Sequence, residues 1–353
     1  MHKLSSVDGI VRDDATGKRV GIRDVATLAG VSRQTVTRAM NDMYGISDET
    51  KTRVLEAARA LKYRPSRFAR GLVKQESLTL GLVVIDLMNP YYAEYASRTI
   101  HIAAQYGWTV LVQEIGRDEQ KEHRALRLLA EQVDAIVGYL LAGDEVLDEL
   151  IGDIPVVRLL DRQVGVRHPW ILTDHTAGIA AALDHLVATG RRRIVMIDCP
   201  TDSGTTSPRA RTFERLAGER GLESRVLPLP SANEPTVEAG RTAVEGLLTE
   251  VHDVDAIFGF NDVVALGALT ALRERGVDVP RECAVIGIDG LPFAAWSHPP
   301  LTTIAVDIEQ IARSGFEAIR AVVAGGSTGT HLRPDAVISH ELVLRESSAR
   351  STF

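Results

Sequence analysis

GIRDVATLAGVSRQTVTRAMN, residues 21–41, places two short apolar patterns on either side of one glycine. Ile22, Val25, Ala26 and Ala29 recur at helical spacing, and Val36, Ala39 and Met40 do so again, which predicts two amphipathic helices. Gly30 supplies the backbone freedom of a tight turn, and Ser32 is a good N-cap for the second helix. Ala26 is small enough for a close crossing, so Ala26, Gly30 and Val36 stand at the spacing a helix-turn-helix requires. The outward face of the second helix carries Arg33, Gln34, Thr37 and Arg38, with Asn41 at its end. An arginine fork pairs with guanine N7 and O6, glutamine pairs with adenine, and the first residues of a recognition helix lie deepest in the major groove. Ser32, Ser47 and Thr50, near helix N-termini, suit phosphate contacts, which set register without reading sequence. The alternative for this face is a solvated αα-hairpin.

Outward from this unit, a third helical pattern follows a break at Tyr44 to Ser47 and runs to Tyr63. Residues 1–20 are polar, without periodicity, and read as a flexible N-terminal extension. Pro65 interrupts the helical unit, and the basic stretch Ser66 to Lys74 leads into sequence of another kind. Charge is polarised: Met1 to Leu78 holds 15 Lys+Arg against 9 Asp+Glu, a balance of +6, whereas the remainder holds 25 against 38, or −13. A basic end on an acidic body is expected of a phosphate-binding head joined to a domain with other work. Two separated cysteines, Cys199 and Cys283, argue against a disulfide framework or a zinc site. The start has no apolar h-region and no long apolar run occurs, so a cytoplasmic protein without a membrane partner is expected.

From Leu80 onward, apolar runs alternate with helical patterns: LGLVVI at 80, TVLVQ at 109, DAIVGYL at 134, PVVRLL at 155, RIVMID at 193, DAIFGF at 255 and CAVIGID at 283. They read as parallel strands covered on both faces, and their number suits two α/β lobes with a binding cleft between them. In such sheets ligands bind at strand carboxyl ends, where Asn261, Asp262 and Asp289 emerge. Asp262 and Asp174 read at least as well as helix N-caps at strand-to-helix turns.

With these residues in hand, the chain resembles the lactose-repressor-like (LacI/GalR) family of bacterial regulators over residues 22 to about 348. The resemblance rests on separated motifs in the family order: DVATLAGVSRQTVTRAMN, ISDETKTRVLEAARALKYRPSRFARGL, NPYYAEY, FNDVVALGAL, VIGIDG with PPLTTI, and LVLRESS. It implies a small all-α headpiece at 21–65, a hinge helix and linker at 66–77, and a two-lobed α/β core with parallel sheets at 78–353, similar to periplasmic sugar-binding proteins. The first lobe is expected at about 78–175 and 308–334, the second at about 176–307 and 335–347. The implied activity is repression: a homodimer on near-palindromic operator DNA, answering to a sugar, sugar derivative or other polar metabolite, with no cofactor, metal or catalysis.

Carried over by position, Arg33, Gln34 and Arg38 read bases, Tyr63 joins the DNA contacts, and Leu72 is the hinge leucine wedged into the minor groove. Ser66 stands where the family usually has Asn, and Gly71 sits inside the presumptive hinge helix at a cost of roughly 0.5–1 kcal/mol relative to Ala. For the effector, Arg209 is implied as the clamp, with Arg211 a rival alignment, and Phe213 as the aromatic partner. Asn261 and Asp289 are implied to bond ligand hydroxyls, Asp86, Tyr91, Tyr92 and Asp161 to contribute from the other lobe. Asn233, Glu234 and Pro235 occupy the stretch where sugar-responsive members often show an aromatic, which puts an ordinary hexose in doubt.

A G-x-S-x-G match around Ser327 follows a helical pattern rather than a strand, which rejects a nucleophile elbow. Walker A, GxGxxG and HExxH are missing, and His298 reads as structural. An uptake-type binding protein without a DNA role is the alternative; the basic head opposes it.

Overall fold

The computed structural model describes residues 22–40, 43–61, 77–160, 167–200, 205–229, 235–250, 253–325 and 336–349. Asn41, Tyr63, Ser66, Gly71, Leu72, Asp161, Asn233, Glu234 and Ser327 lie outside them. The chain forms two units, 1–76 and 77–353.

In the first unit, α1 (Ile22–Ala29), α2 (Arg33–Met40) and α3 (Asp48–Ala60) enclose a small core of Val25, Ala26, Ala29, Val36, Ala39, Val54, Ala57 and Ala58. Gly30 takes φ +64 with open space where a β-carbon would stand, so the turn requires glycine for its backbone and not for room. Ser32 caps α2 by accepting from the Thr35 amide at 3.1 Å, and Ser47 caps α3 by accepting from Thr50 at 3.3 Å. Asp48 and Glu49 complement the positive end of α3.

The second unit holds two six-stranded sheets. The first runs β11 (Ala336–Ser339), β5 (Trp170–Asp174), β4 (Val156–Leu160), β3 (Ala135–Tyr139), β1 (Thr79–Val84), β2 (Thr109–Glu114), all parallel. The second runs β12 (Glu341–Val343), β10 (Thr302–Ala305), β9 (Ala284–Asp289), β8 (Ala256–Gly259), β6 (Arg193–Asp198), β7 (Glu223–Pro228), with only β12 antiparallel. Helices α4 (Pro90–Gln105), α5 (Glu119–Ala130), α6 (Asp144–Ile151) and α11 (Ile308–Gly325) cover the first sheet. Helices α7 (Thr176–Ala188), α8 (Pro208–Glu219), α9 (Val237–Glu250) and α10 (Asp262–Glu274) cover the second. No helix among the described residues is long and apolar enough to cross a membrane.

The chain passes between lobes three times: after β5, after β10, and between β11 and β12. The expected assignment of 335–347 to the second lobe is therefore corrected. β11 pairs with β5 in the first sheet, and the crossing falls at His340, because the short apolar segment 336–339 completes an edge the first sheet would otherwise leave bare. β2 was expected to be covered on both faces and is instead an edge strand with Thr109 and Leu111 exposed. Leu291, from the second lobe, is 1% exposed because its side chain joins Tyr91, Tyr95 and Ile308 in the first lobe's core.

The second lobe's ligand-side elements depend on a close helix pair. α9 approaches α10 through Gly240 and Gly267; a methyl on Gly267 would meet the backbone of Val237 and Arg241. Gly267→Ala should therefore cost about 2 kcal/mol or more and lower the melting temperature by roughly 4–8 °C. An unchanged melting curve would show that the pair relaxes freely.

Candidate functional site

On the head, packing of Val36 and Ala39 inward turns Arg33, Gln34, Thr37 and Arg38 outward, all exposed. Thr37 donates to the Arg33 carbonyl at 3.0 Å, as helical threonines do. The hydroxyls of Ser32 and Thr35, and those of Ser47 and Thr50, each pair at 2.9 Å. Ser32, Ser47 and Thr50 thus first serve their own helix ends, and they present those ends at the surface.

In the core, the second sheet's carboxyl ends carry the polar groups. Asp198, the last residue of β6, accepts from the Ser207 amide at 3.0 Å, and Ser207 caps α8 by accepting from Ala210 at 3.1 Å. Two residues into α8, Arg209 donates to the Phe260 carbonyl at 2.8 Å, stacks on the Phe260 ring with 4.7 Å from Cζ to the centroid, and faces Asp289 at 3.7 Å. Asn261 caps α10, accepting from Val264 at 2.9 Å. Asp262 is not the cap expected of it. Its carboxylate turns inward, fully buried, and accepts from the Leu291 amide at 2.8 Å and the Thr303 hydroxyl at 2.5 Å. Asp174 does behave as a cap, accepting from Thr176 at 2.9 Å.

Asp289 is buried at φ 123, a conformation that L residues adopt only under strain. Its Oδ1, Asp198 Oδ1 and both ring nitrogens of His340 are buried with no hydrogen-bond partner among the described residues. Buried polar atoms of native proteins are nearly always paired, so these orphaned groups mark this end of the second sheet as the candidate ligand floor. Burial, followed for Asp262 by the charge of Asp289, pushes both carboxyls well above the usual carboxylate range. No grouping of side chains among the described residues would hold a metal ion.

Arg209, Asn261 and Asp289 are therefore brought together as expected, and Tyr91 lies near enough to feel the charges of Asp289 and Arg209. The remaining expected effector residues fare differently. Tyr91 is buried with its hydroxyl 2.6 Å from that of Tyr139, and Tyr92 is half-buried and meets both rings in edge-to-face geometry. Asp86 closes a turn onto the Met88 amide at 2.8 Å. Phe213 is corrected: it is wholly buried in the second lobe's core, 5.6 Å from the Phe258 ring, because it points from α8 onto the sheet and not toward the floor. The aromatic at the floor is Phe260. Its place directly after a buried strand was a usable signal that went unread; Asp198, His175 and His340 gave none.

His175 and His340 stand on two of the interlobe crossings with ring centroids 4.5 Å apart. Burial, then the neighbouring Arg209 charge, holds both imidazoles below their usual range, His340 down to about 4. The unfolded chain thus binds protons that the native hinge refuses, and stability is lost as pH falls from 6.5 toward about 4. His340→Gln should reduce the drop in melting temperature between pH 7 and pH 5; an identical drop would refute the assignment.

Residues 21–66 match the family described as bacterial regulatory proteins, lacI family, and residues 183–348 the periplasmic binding protein-like domain. The transcriptional regulator GalS of Salmonella typhimurium is 30% identical over 339 residues, spanning 94% of this chain and 99% of that protein. A LacI family transcriptional regulator from Arthrobacter sp. FB24, solved with lactose, has TM-score 0.70 and 30% identity over 77% of this chain and all of that one. A Lac repressor dimer bound to operator and an anti-inducer has TM-score 0.69 at 24% identity, over 94% of this chain and 99% of that one, a likeness of fold.

Proposed function

As a member of the lacI family of bacterial regulatory proteins, to which the chain belongs, it is a transcriptional regulator and not an enzyme, and we propose that it represses a carbohydrate or related metabolite operon. A dimer reads near-palindromic operator DNA through Arg33, Gln34, Thr37 and Arg38, since one recognition helix covers only a half-site. Ser32, Ser47, Thr50, Asn41 and Tyr63 are assigned backbone and flanking contacts, and Leu72 the minor-groove wedge. A polyhydroxy metabolite fills the floor of Arg209, Asn261 and Asp289, and shifts DNA affinity through its preference for one lobe arrangement.

The observation that carries this reading is the exposed Arg33, Gln34, Thr37, Arg38 row opposite a fully buried inner face. An uptake receptor has no use for such a row. Duplexes selected from random sequence by the full chain should converge on a near-palindrome. A bidentate base contact is worth about 1–3 kcal/mol, so Arg38→Ala should weaken the selected duplex roughly 5- to 150-fold and random DNA far less. Equal losses would reduce Arg38 to a phosphate contact.

For the cleft, the response is the readout. Asp289→Ala should abolish any change of operator affinity on adding effector while leaving effector-free affinity within about two-fold, because the residue lies in the second sheet. A retained response would place the ligand elsewhere.

A further inference from the structure

Resting on the assignment of the exposed α2 row to DNA, we propose that Tyr44 is a further operator contact, its hydroxyl donating to a backbone phosphate on the wall of the major groove beside Arg38. Tyr44 stands between α2 and α3 and is 100% exposed, more than any other large apolar side chain among the described residues. Its place is set by its neighbours. The Met43 amide donates to the Arg38 carbonyl at 2.9 Å, Gly45 turns the backbone at φ +95, and Ile46 packs on the core of the head before Ser47 caps α3. A β-carbon on Gly45 would lie 3.6 Å from Arg38 Nη1, so this connection runs directly against that guanidinium.

A ring left wholly in water adds no buried area to the fold of the head. Tyrosine joins an apolar body to a polar tip, the combination that interfaces use. The partner follows from position and not from a local count of charges. Arg33 and Arg38 lie on α2, while Asp48 and Glu49 stand in the first turn of α3, where they complement its positive end; Asp42 lies outside the described residues. Tyr44 adjoins Arg38, and the head of a lacI-family regulator meets operator DNA. On a recognition helix the first residues lie deepest in the groove. Arg38, in the last turn of α2, therefore reaches in from nearer the groove wall, and the connection beyond it meets the sugar–phosphate backbone and not base edges. Tyrosine hydroxyls are among the donors that bind phosphate, and such contacts position without reading sequence. The acceptor is charged, which makes the bond stronger than a neutral pair. A hydroxyl neutralises no phosphate charge, so it adds affinity without altering the dependence on salt.

The test is binding of the full chain to the duplex selected from random sequence and to a random duplex of equal length, over a range of salt concentrations. Tyr44→Phe should weaken both duplexes alike, by about ten-fold or more because a dimer loses two such bonds. Its melting temperature and its slope of log affinity against log salt should match the wild type. In a scan that replaces single phosphates by neutral methylphosphonates, one replacement per half-site should weaken the wild type and leave Tyr44→Phe indifferent. Binding by Tyr44→Phe within two-fold of the wild type overturns the proposal, even where Tyr44→Ala binds poorly, since the ring and not the hydroxyl would then make the contact. A loss confined to the selected duplex also overturns it, as does a scan in which no position distinguishes the two proteins. If Arg38→Ala then loses the selected duplex, the row stands and only Tyr44 is dismissed; if Arg38→Ala binds both duplexes like the wild type, the row falls too.

Discussion

The Asp262 carboxylate is wholly shut off from solvent and accepts from the Leu291 amide and the Thr303 hydroxyl, while Gly287 lies so near it that a β-carbon there would overlap Oδ1. These contacts join the start of α10, the middle of β9 with the turn that follows it, and the first half of β10 around one acid. A buried carboxylate is expensive to keep charged, and burial beside Asp289 makes this one hold its proton far above the usual range. The rest of the floor follows from that arrangement. With Asp262 fixed, Asn261 is left to cap α10, and the turn after β9 brings Asp289 round to Arg209 at a backbone angle it adopts only under strain.

Leu291 carries the constraint across the lobes. Its amide belongs to the Asp262 network, yet its side chain is packed among Tyr91, Tyr95 and Ile308 of the first lobe. Chemistry at the floor and packing between lobes therefore share one residue. His175 and His340, neutral and buried at two crossings, let the lobes meet without further charge. An effector that alters the floor has a short mechanical route to the lobe contact, which is what population shift between two arrangements requires. The charge pattern of the whole chain fits the same division: the cationic excess lies in the first 78 residues, where phosphates are to be met, and the acidic excess in the body.

Much of this was legible from residues alone. Gly30 and Ser32 announced the turn and cap of the head because both are local chemical requirements, and Gly30's φ of +64 is the one they imply. Continuous apolar runs located β1, β3, β4, β6, β8 and β9, since strands covered on both faces leave no alternation to confuse with a surface. Edges were harder. β7 is largely exposed, and β10, β11 and β12 are three or four residues long, so none carries a run that stands out from loop sequence. Side-chain direction was harder still: Phe213 and Phe260 are both aromatic neighbours of the Arg209 region, but helix phase points one into the core and strand exit points the other to the floor. Asn261 and not Asp262 caps α10, although either residue type makes a good cap, and only the position of Thr303 and Leu291, remote in sequence, decides between them.

The claim at the centre of this account is that the Asp262 carboxylate holds the floor and ties it to the first lobe through Leu291. Amide hydrogen exchange of the full chain reads that tie directly, comparing the wild type with Asp262→Ala under native conditions. The account predicts that exchange at Leu291 accelerates ten-fold or more while the amides of α1 to α3 exchange as before. An unchanged rate at Leu291 would contradict it.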